Sequence, residues 1–143
     1  MNIVILGCRD RNNKIIDYLS RNNNITQFNV APSLGYLKKH NTNLILSSGY
    51  HLKIEDEIIE NYEGRVINIH ASRLPYGRGI GTILISLLFP CPIGVSIHLI
   101  DKKFDNGPIL DVKDVSIDDF IYSTQRYLHA KLVDESQKLL IKN

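Results

Sequence analysis

The sequence predicts an α/β fold: a single Rossmann-like three-layer domain with a mostly parallel central sheet and helices on both faces. Short apolar, β-branched runs at residues 2–7 and 43–49 end in glycine, which is typical of buried strands. Segments with apolar residues at helical spacing follow them. Strands that alternate with helices favour a parallel sheet covered on both sides.

Length and composition agree with one globular domain. The chain has 143 residues, of which 43% are hydrophobic and 22% charged, so it can bury one core and wholesale disorder is not expected. The formal charge is only +2 and the basic residues are scattered, so no nucleic-acid partner is predicted.

Neither a membrane span nor a metal site is predicted. The longest apolar stretch, residues 83–89, is too short to cross a bilayer. Cys8 and Cys91 lack a metal-type spacing and do not make a disulfide framework. The chain opens directly on a strand-like segment without an export signal, so we expect a cytoplasmic protein.

The first half of the chain reads as three strand–helix pairs. Strands are predicted at residues 2–7, 26–30 and 43–49. The first helix is expected at residues 13–21 and the third around residues 54–62, where one apolar stripe runs among acidic residues. Between them, Pro32 and Ser33 are placed to start a short helix at 33–40.

The second half continues with more strands than helices. Strands are expected at residues 65–70, 92–100 and 109–115, the second of these with alternating apolar residues and His98 on the opposite side. A short helix is expected at 80–88. A long closing helix is expected from Ser116, which forms a capping-box-like start with Asp119.

Polar side chains that could carry chemistry follow the strand at residues 65–70. Asn68 and His70 are two residues apart, so they point to the same side of an extended segment. A Pro/Gly/Arg loop follows, as suits the carboxyl edge of an open α/β sheet, where ligands bind. A structural histidine and a turn-forming asparagine would give the same pattern.

A carboxylate completes a coherent set. Asp105 lies in a turn signalled by residues 106–108. An amide N–H can stabilise the oxyanion that forms when an amine attacks an acyl carbon. An imidazole, with an ordinary pKa of about 6.5, can move protons near neutral pH, and a nearby carboxylate favours its charged form. Asn68, His70 and Asp105 therefore suit acyl transfer to an amine.

Three segments resemble the folate-dependent formyltransferases. They are residues 66–75 (VINIHASRLP), 94–101 (GVSIHLID) and 104–110 (FDNGPIL), and the similarity covers roughly residues 43–112. The resemblance implies transfer of a formyl group from N10-formyltetrahydrofolate to a primary amine on a Rossmann-like core. Residues 1–143 would form one such catalytic domain, shortened before Asn68 and without a C-terminal extension.

The resemblance also assigns roles. Asn68 would hold the formyl oxygen, His70 would transfer protons and Asp105 would support the histidine. The family motif often has a cis bond at Leu74–Pro75. The folate would lie between two loops, with these contact residues expected: Ser48, Gly49, Tyr50, His51, Leu52 and Phe104.

The acceptor is suggested by two departures. The turn at residues 8–12 lacks the Gly/Ser-rich phosphate loop of enzymes that act on a purine precursor, although Arg9 or Arg11 could meet a phosphate there. The run at residues 74–79 is most similar to the sugar N-formyltransferases, which act on nucleotide-linked amino sugars. Expected substrate contacts are Arg9, Arg73, Tyr76 and Arg78.

Other interpretations stay open. Water could replace the amine, which would make the protein a formyltetrahydrofolate hydrolase. A non-catalytic module that binds folate or a sugar nucleotide would use the same cleft. A plain nucleotide-binding Rossmann domain is less favoured because the first turn holds a single glycine. A homodimer is possible through an apolar last strand or helix. The expected partner is otherwise a small-molecule substrate.

Overall fold

A six-stranded sheet forms the middle of the computed structural model, which describes residues 1–79, 81, 84, 88–89, 91–116 and 124–142. Its order is β2-β1-β3-β4-β5-β6. The first four strands in this order pair in parallel, and β5 is antiparallel to both of its neighbours. The predicted, mostly parallel sheet is confirmed. The strands are β1 (Asn2–Leu6), β2 (Asn24–Phe28), β3 (Leu44–Ser48), β4 (Val66–His70), β5 (Gly94–Leu99) and β6 (Ile109–Asp114).

Helices cover both faces of this sheet. On one face, Leu37 of α2 and Ile58 of α3 pack into a cluster with residues of β1, β3 and β4. On the other face, Ile15 of α1 and Leu132 of α4 pack against the sheet in two further clusters. The three layers are therefore as predicted. The helices are α1 (Arg9–Leu19), α2 (Leu34–Lys39), α3 (Asp56–Asn61) and α4 (Gln125–Lys142).

The central strands are apolar without interruption because both of their faces are buried. Ile3, Val4, Ile5 and Leu6 of β1 are each at most 3% exposed. Since successive side chains of a strand point to opposite faces, Val4 and Leu6 join the cluster under α2 and α3, whereas Ile3 and Ile5 join the one under α1.

Several boundaries differ from the predicted ones. Helix α1 begins at Arg9 instead of residue 13, so the predicted Arg9–Asn12 loop is helical. Strand β2 begins two residues early, at Asn24. In α1 the polar residues 9–12 extend the helix beyond its apolar part, which periodicity does not detect. Ser33 does cap α2, accepting a hydrogen bond from Tyr36 N.

Two predicted helices extend over undescribed residues. Most of the segment 80–88 lies outside the described residues, although Leu84 and Leu88 are helical. The predicted start of the last helix at Ser116 is followed by residues 117–123, which also lie outside them; the described helix begins at Gln125. Thr124, expected on its inner stripe, is exposed, whereas Leu128 and Leu132 are buried as expected.

The order of the strands reverses between β1 and β3, which is where an open α/β sheet forms its ligand crevice. The two strand ends lie close together: a Cβ added to Gly7 would be 2.0 Å from the carbonyl oxygen of Ser48. Gly7 and Gly49 have φ angles of 127° and 65°, which other residues rarely adopt. The chain thus turns sharply after both strands and leaves the crevice open.

No helix in the described part of the chain is long and apolar enough to cross a membrane.

Candidate active site

Strands β4 and β5 bring an amide and two imidazoles to one face of the sheet. Asn68 and His70 lie two residues apart in β4, as predicted, and Asn68 pairs directly with His98 of antiparallel β5. Residues that pair directly across an antiparallel ladder share a face. The His70 and His98 rings consequently meet edge to face, with centroids 6.0 Å apart.

The loop between β5 and β6 delivers the carboxylate. Asp105 has a φ of 49°, within the left-handed region that short polar residues tolerate best. The carboxylate of Asp101 accepts hydrogen bonds from Lys103 N and Asn106 Nδ2, which tightens the loop. Gly107 lies against β5, where an added Cβ would be 2.0 Å from a backbone carbonyl oxygen. The loop thus returns Asp105 to the sheet face that carries Asn68.

Asn68 contacts two partners. Its Nδ2 donates to Asp105 Oδ1 at 3.2 Å and lies 3.1 Å from His98 Nε2. His98 Nδ1 is 2.8 Å from the carbonyl oxygen of Leu99, which can only accept, so Nδ1 donates to it. This contact holds His98 Nε2 beside both Asn68 and Asp105 Oδ1, which is 3.5 Å away. His98 is 1% exposed, and its partners are fixed.

His70 is held by the loop that follows β4. Its Nε2 lies 2.7 Å from the carbonyl oxygen of Gly77 and 3.7 Å from Asp105 Oδ2. Because the carbonyl only accepts, Nε2 donates to it and a neutral His70 keeps its lone pair on Nδ1. The same loop donates from Gly79 N to Asp105 Oδ2 at 2.9 Å.

The surroundings set different charges on the two titratable groups. Burial lowers the pKa of His70 below its usual value, although Asp105 opposes this. Burial would raise the pKa of Asp105, but hydrogen bonding by His98, the charge of His70 and the N–H of Gly79 together lower it. Near neutral pH the site thus holds a neutral imidazole able to accept a proton beside an ionised carboxylate.

The loop after β4 is fixed by buried polar contacts. Ser96 Oγ accepts from Leu74 N at 2.9 Å and donates to Ser72 O at 2.8 Å. The Leu74–Pro75 bond is cis, which confirms the prediction. Arg73 pairs with Asp114 at 2.5 Å and also donates to the carbonyl of Leu74. Arg73 therefore contacts β6 rather than the crevice.

Two cavities meet at this network. A smaller one, of about 70 Å³, and a larger one, of about 920 Å³, share Tyr50, Asn68, Phe104 and Asp105 in their linings. Of the other predicted folate contacts, Leu52 lines the smaller cavity, and Ser48, Gly49 and His51 line the larger one. The structure thus gathers all of these residues around Asn68, His70 and Asp105.

The predicted substrate residues are placed differently. None of them is among the described residues that line either cavity; they are Arg9, Arg73, Tyr76 and Arg78. Basic side chains from two helices line the larger cavity: Arg11 of α1, and Arg126 and His129 of α4.

Sequence reasoning missed two kinds of residue. His98 was assigned only to the polar side of its strand, and its pairing with Asn68 depends on a register that the sequence does not specify. The two α4 residues come close to β4 only through tertiary packing. Helical spacing was their one available signal, since Arg126 and His129 share a face.

Sequence comparison finds relatives of this chain among known proteins. Residues 9–143 match the family described as formyl transferase. Over 84 residues, 58% of this chain, it is 34% identical to the phosphoribosylglycinamide formyltransferase of Bacillus subtilis, and covers 43% of that protein. Over 98 residues, 68% of this chain, it is 35% identical to the methionyl-tRNA formyltransferase of Finegoldia magna, and covers 31% of it. The chain thus spans less than half of these curated relatives.

A solved structure matches almost the whole chain. It is a formyltransferase from Anoxybacillus kamchatkensis in complex with UDP-4,6-dideoxy-4-formamido-L-AltNAc and tetrahydrofolate. Its TM-score is 0.88 at 30% identity, with 99% of this chain and 74% of that chain covered. The family match extends over most of the sequence and the fold agrees with it, so this chain belongs to the formyl transferase family.

Proposed function

We propose that this protein transfers a formyl group from N10-formyltetrahydrofolate to a primary amine. The strongest support is geometric: Asn68 and His70 both lie within hydrogen-bonding or ion-pair reach of Asp105, where two cavities meet. A donor in one cavity and an acceptor in the other would meet at these side chains. Membership of the formyl transferase family agrees with this reaction.

In this proposal the smaller cavity takes the pterin ring of the donor. Its lining is largely apolar, with Ile54, Ile59, Ile100 and Leu52 beside polar groups on the loop at 101–105. Its volume of about 70 Å³ holds about two waters, at roughly 30 Å³ each. The loop at 101–105, on which Phe104 is 67% exposed, therefore moves away from the apolar lining residues when the ring enters.

The reaction needs one net proton transfer. The amine attacks the formyl carbon, a C–N bond forms, and the formyl oxygen becomes an oxyanion. Collapse of this intermediate breaks the bond to N10, which gains the proton that the amine loses. Neutral His70 and ionised Asp105 can accept that proton and pass it on. None of these side chains has to form a covalent bond.

Asn68 stabilises the oxyanion. In the structure one of its N–H groups donates to the carboxylate of Asp105. A carboxylate that has taken a proton from the amine becomes a weaker acceptor, so this N–H is released to the oxyanion when charge develops there. A preorganised donor of this kind is worth about 10²–10³ in turnover.

The favoured acceptor is an amino sugar linked to a nucleoside diphosphate. This finer proposal is supported by the likeness to the Anoxybacillus enzyme, solved with such a formylated sugar nucleotide. It is also supported by 32% identity over 79 residues, 55% of this chain and 33% of the relative, to a dTDP-4-amino-4,6-dideoxyglucose formyltransferase of Mycobacterium bovis.

The test is incubation of the full chain with N10-formyltetrahydrofolate and a panel of amines. The panel includes nucleoside-diphosphate amino sugars, and the readout is a formyl mass increase on the amine with release of tetrahydrofolate. Asn68→Ala serves as the inactive comparison. Formate release at a rate that no amine changes would contradict transfer, because water would then be the acceptor.

A further inference from the structure

The larger cavity has one strongly basic wall. Besides His70, four basic side chains line it: Arg11 of α1, His51 of the loop after β3, and Arg126 and His129 of α4. Among the described lining residues the only acidic one is Asp105, which belongs to the catalytic network. The basic side chains thus lie on one wall of the cavity, and the acidic side chain lies at the reaction centre.

Contacts between α1 and α4 hold this wall in place. The side-chain amide of Gln137 donates to the carbonyl oxygen of Arg11, and Lys14 pairs with Asp134. Besides Gln125, four residues of α4 line the cavity at helical spacing. They are Arg126, His129, Val133 and Ser136. Three of the four basic groups, Arg11, Arg126 and His129, are therefore carried by packed helices.

The two arginines of the wall have no acidic partner among the described residues. By contrast, Arg73 pairs with Asp114 and Lys102 pairs with Glu60. The Arg11 side chain lies over Gly49, where an added Cβ would be 3.3 Å from Arg11 Cδ.

The basic groups of the wall act on one another. Burial lowers the pKa of His129, and the positive charges of Arg11 and His51 lower it further. These groups are thus close enough to repel each other, and an anion between them would remove that repulsion.

We propose that Arg11 and Arg126, with His51 and His129, bind a phosphate or diphosphate group of the amine acceptor and select acceptors that carry one. Guanidinium groups offer paired donors that match phosphate oxygens, and the helices fix their direction. The proposal rests on the proposed function, of which it specifies the acceptor. It assigns acceptor recognition to α1 and α4 instead of the predicted Arg73 and Arg78.

Size and charge also favour an extended acceptor. The cavity of about 920 Å³ lies in the range of sites for drug-sized ligands, which is more than a simple amine needs. Repulsion by ionised Asp105 keeps the anionic group at the basic wall. The amine at the other end of the acceptor is then directed towards Asn68 and His70.

The test is calorimetric titration of the full chain with inorganic phosphate, pyrophosphate and UDP at fixed salt concentration. Arg11→Gln and Arg126→Gln should each weaken binding of the bound anion by about tenfold or more, because each removes charged hydrogen bonds. Arg21→Gln is the matched control, since Arg21 lies beyond the end of α1 and stacks on Tyr18. Its affinity should equal that of the unaltered protein.

The three anions distinguish two sources of phosphate. Tighter binding of pyrophosphate and UDP than of phosphate supports a diphosphate acceptor, and equal binding supports a phosphate monoester. Failure of all three to bind, or unchanged affinity in Arg11→Gln and Arg126→Gln, would overturn the proposal. Tetrahydrofolate binding, measured separately, tests the donor site. Folate binding without anion binding thus refutes only the proposal that the basic wall binds phosphate. Anion binding without formyl transfer refutes only the proposed reaction.

Discussion

Asp105 accepts hydrogen bonds on both of its carboxylate oxygens, from Asn68 Nδ2 on one and Gly79 N on the other. An Asp105→Asn side chain has a single acceptor oxygen, so its NH2 group must face one of these donors. We expect kcat to fall by about 10² or more, whereas tetrahydrofolate affinity changes little. Steady-state kinetics and folate titration measure the two quantities.

Asp17→Asn is the control for this variant, because Asp17 is exposed on α1. It should leave both quantities unchanged. Equal losses of kcat and of folate affinity in Asp105→Asn would show that the loop had collapsed and would contradict a direct role in proton transfer.

His98 acts through Asn68 and Asp105, because its Nε2 lies beside both side chains. In His98→Gln the side-chain oxygen can still accept from Asn68, whereas His98→Leu leaves that N–H without a partner. We predict that His98→Leu lowers kcat at least about tenfold more than His98→Gln, with similar KM for the folate. If the two variants lost kcat equally, His98 would be a packing residue only. Thermal melts show whether each variant is folded.

The lowered pKa of His70 predicts the acid limb of the activity. His70 accepts a proton only when neutral, so kcat/KM should fall as the pH drops through its pKa, which lies below the ordinary value of 6.5. Asp105, whose pKa is also lowered, stays ionised throughout this range. A pH profile of kcat/KM checks this. A limb centred above pH 6.5, or one that persists in the residual activity of His70→Ala, would contradict the assignment.

For individual residues, the sequence predicted the chemical groups of the site better than it predicted their geometry. Asn68, His70 and Asp105 converge as predicted because a strand end and a turn signal located them. His98 was missed since its role follows from cross-strand register. Arg126 was missed because a helix face turns towards a site only through packing.

Among the elements of the site, the β5–β6 loop should be sensitive to a single added methyl group. A Cβ on Gly107 would lie 2.0 Å from the carbonyl oxygen of Leu99, so in Gly107→Ala the loop that carries Asp105 must shift. We expect a lower melting temperature and a large loss of kcat. Gly35→Ala in α2 is the matched control: the nearest atom to its Cβ would be 3.9 Å away. That variant should be as stable as the unaltered protein or more so.

Wild-type turnover in Gly107→Ala would mean that the loop tolerates displacement and that Asp105 does not need its observed position. Melting curves from circular dichroism and steady-state kinetics on the same preparations separate a loss of fold from a loss of geometry.

Element order could be predicted because buried strands and amphipathic helices differ in period. Ends were less accurate: α1 begins with Arg9, Asp10 and Arg11, which carry no apolar signal. The reversal of β5 was not predicted either, since an alternating strand fits a parallel or an antiparallel neighbour. That reversal matters, because it pairs His98 with Asn68.

For the whole molecule, the two cavities are built on one sheet and its packed helices, so each ligand should stabilise the entire fold. A ligand that binds only the native state, at one hundred times its Kd, adds about 2.7 kcal/mol to the free energy of unfolding. Tetrahydrofolate and UDP should each raise the melting temperature. Together their effects on this free energy should approximately add, because the larger cavity leaves room for the acceptor beside Asn68 and Asp105.

Additivity tests the central geometric idea more directly than either shift alone. Two ligands that compete for one site would together stabilise little more than the stronger of them, and such a result would contradict the division into a donor and an acceptor cavity. Arg126→Gln provides the internal control: it should reduce the increment from UDP while leaving that from tetrahydrofolate unchanged, since Arg126 lines only the larger cavity.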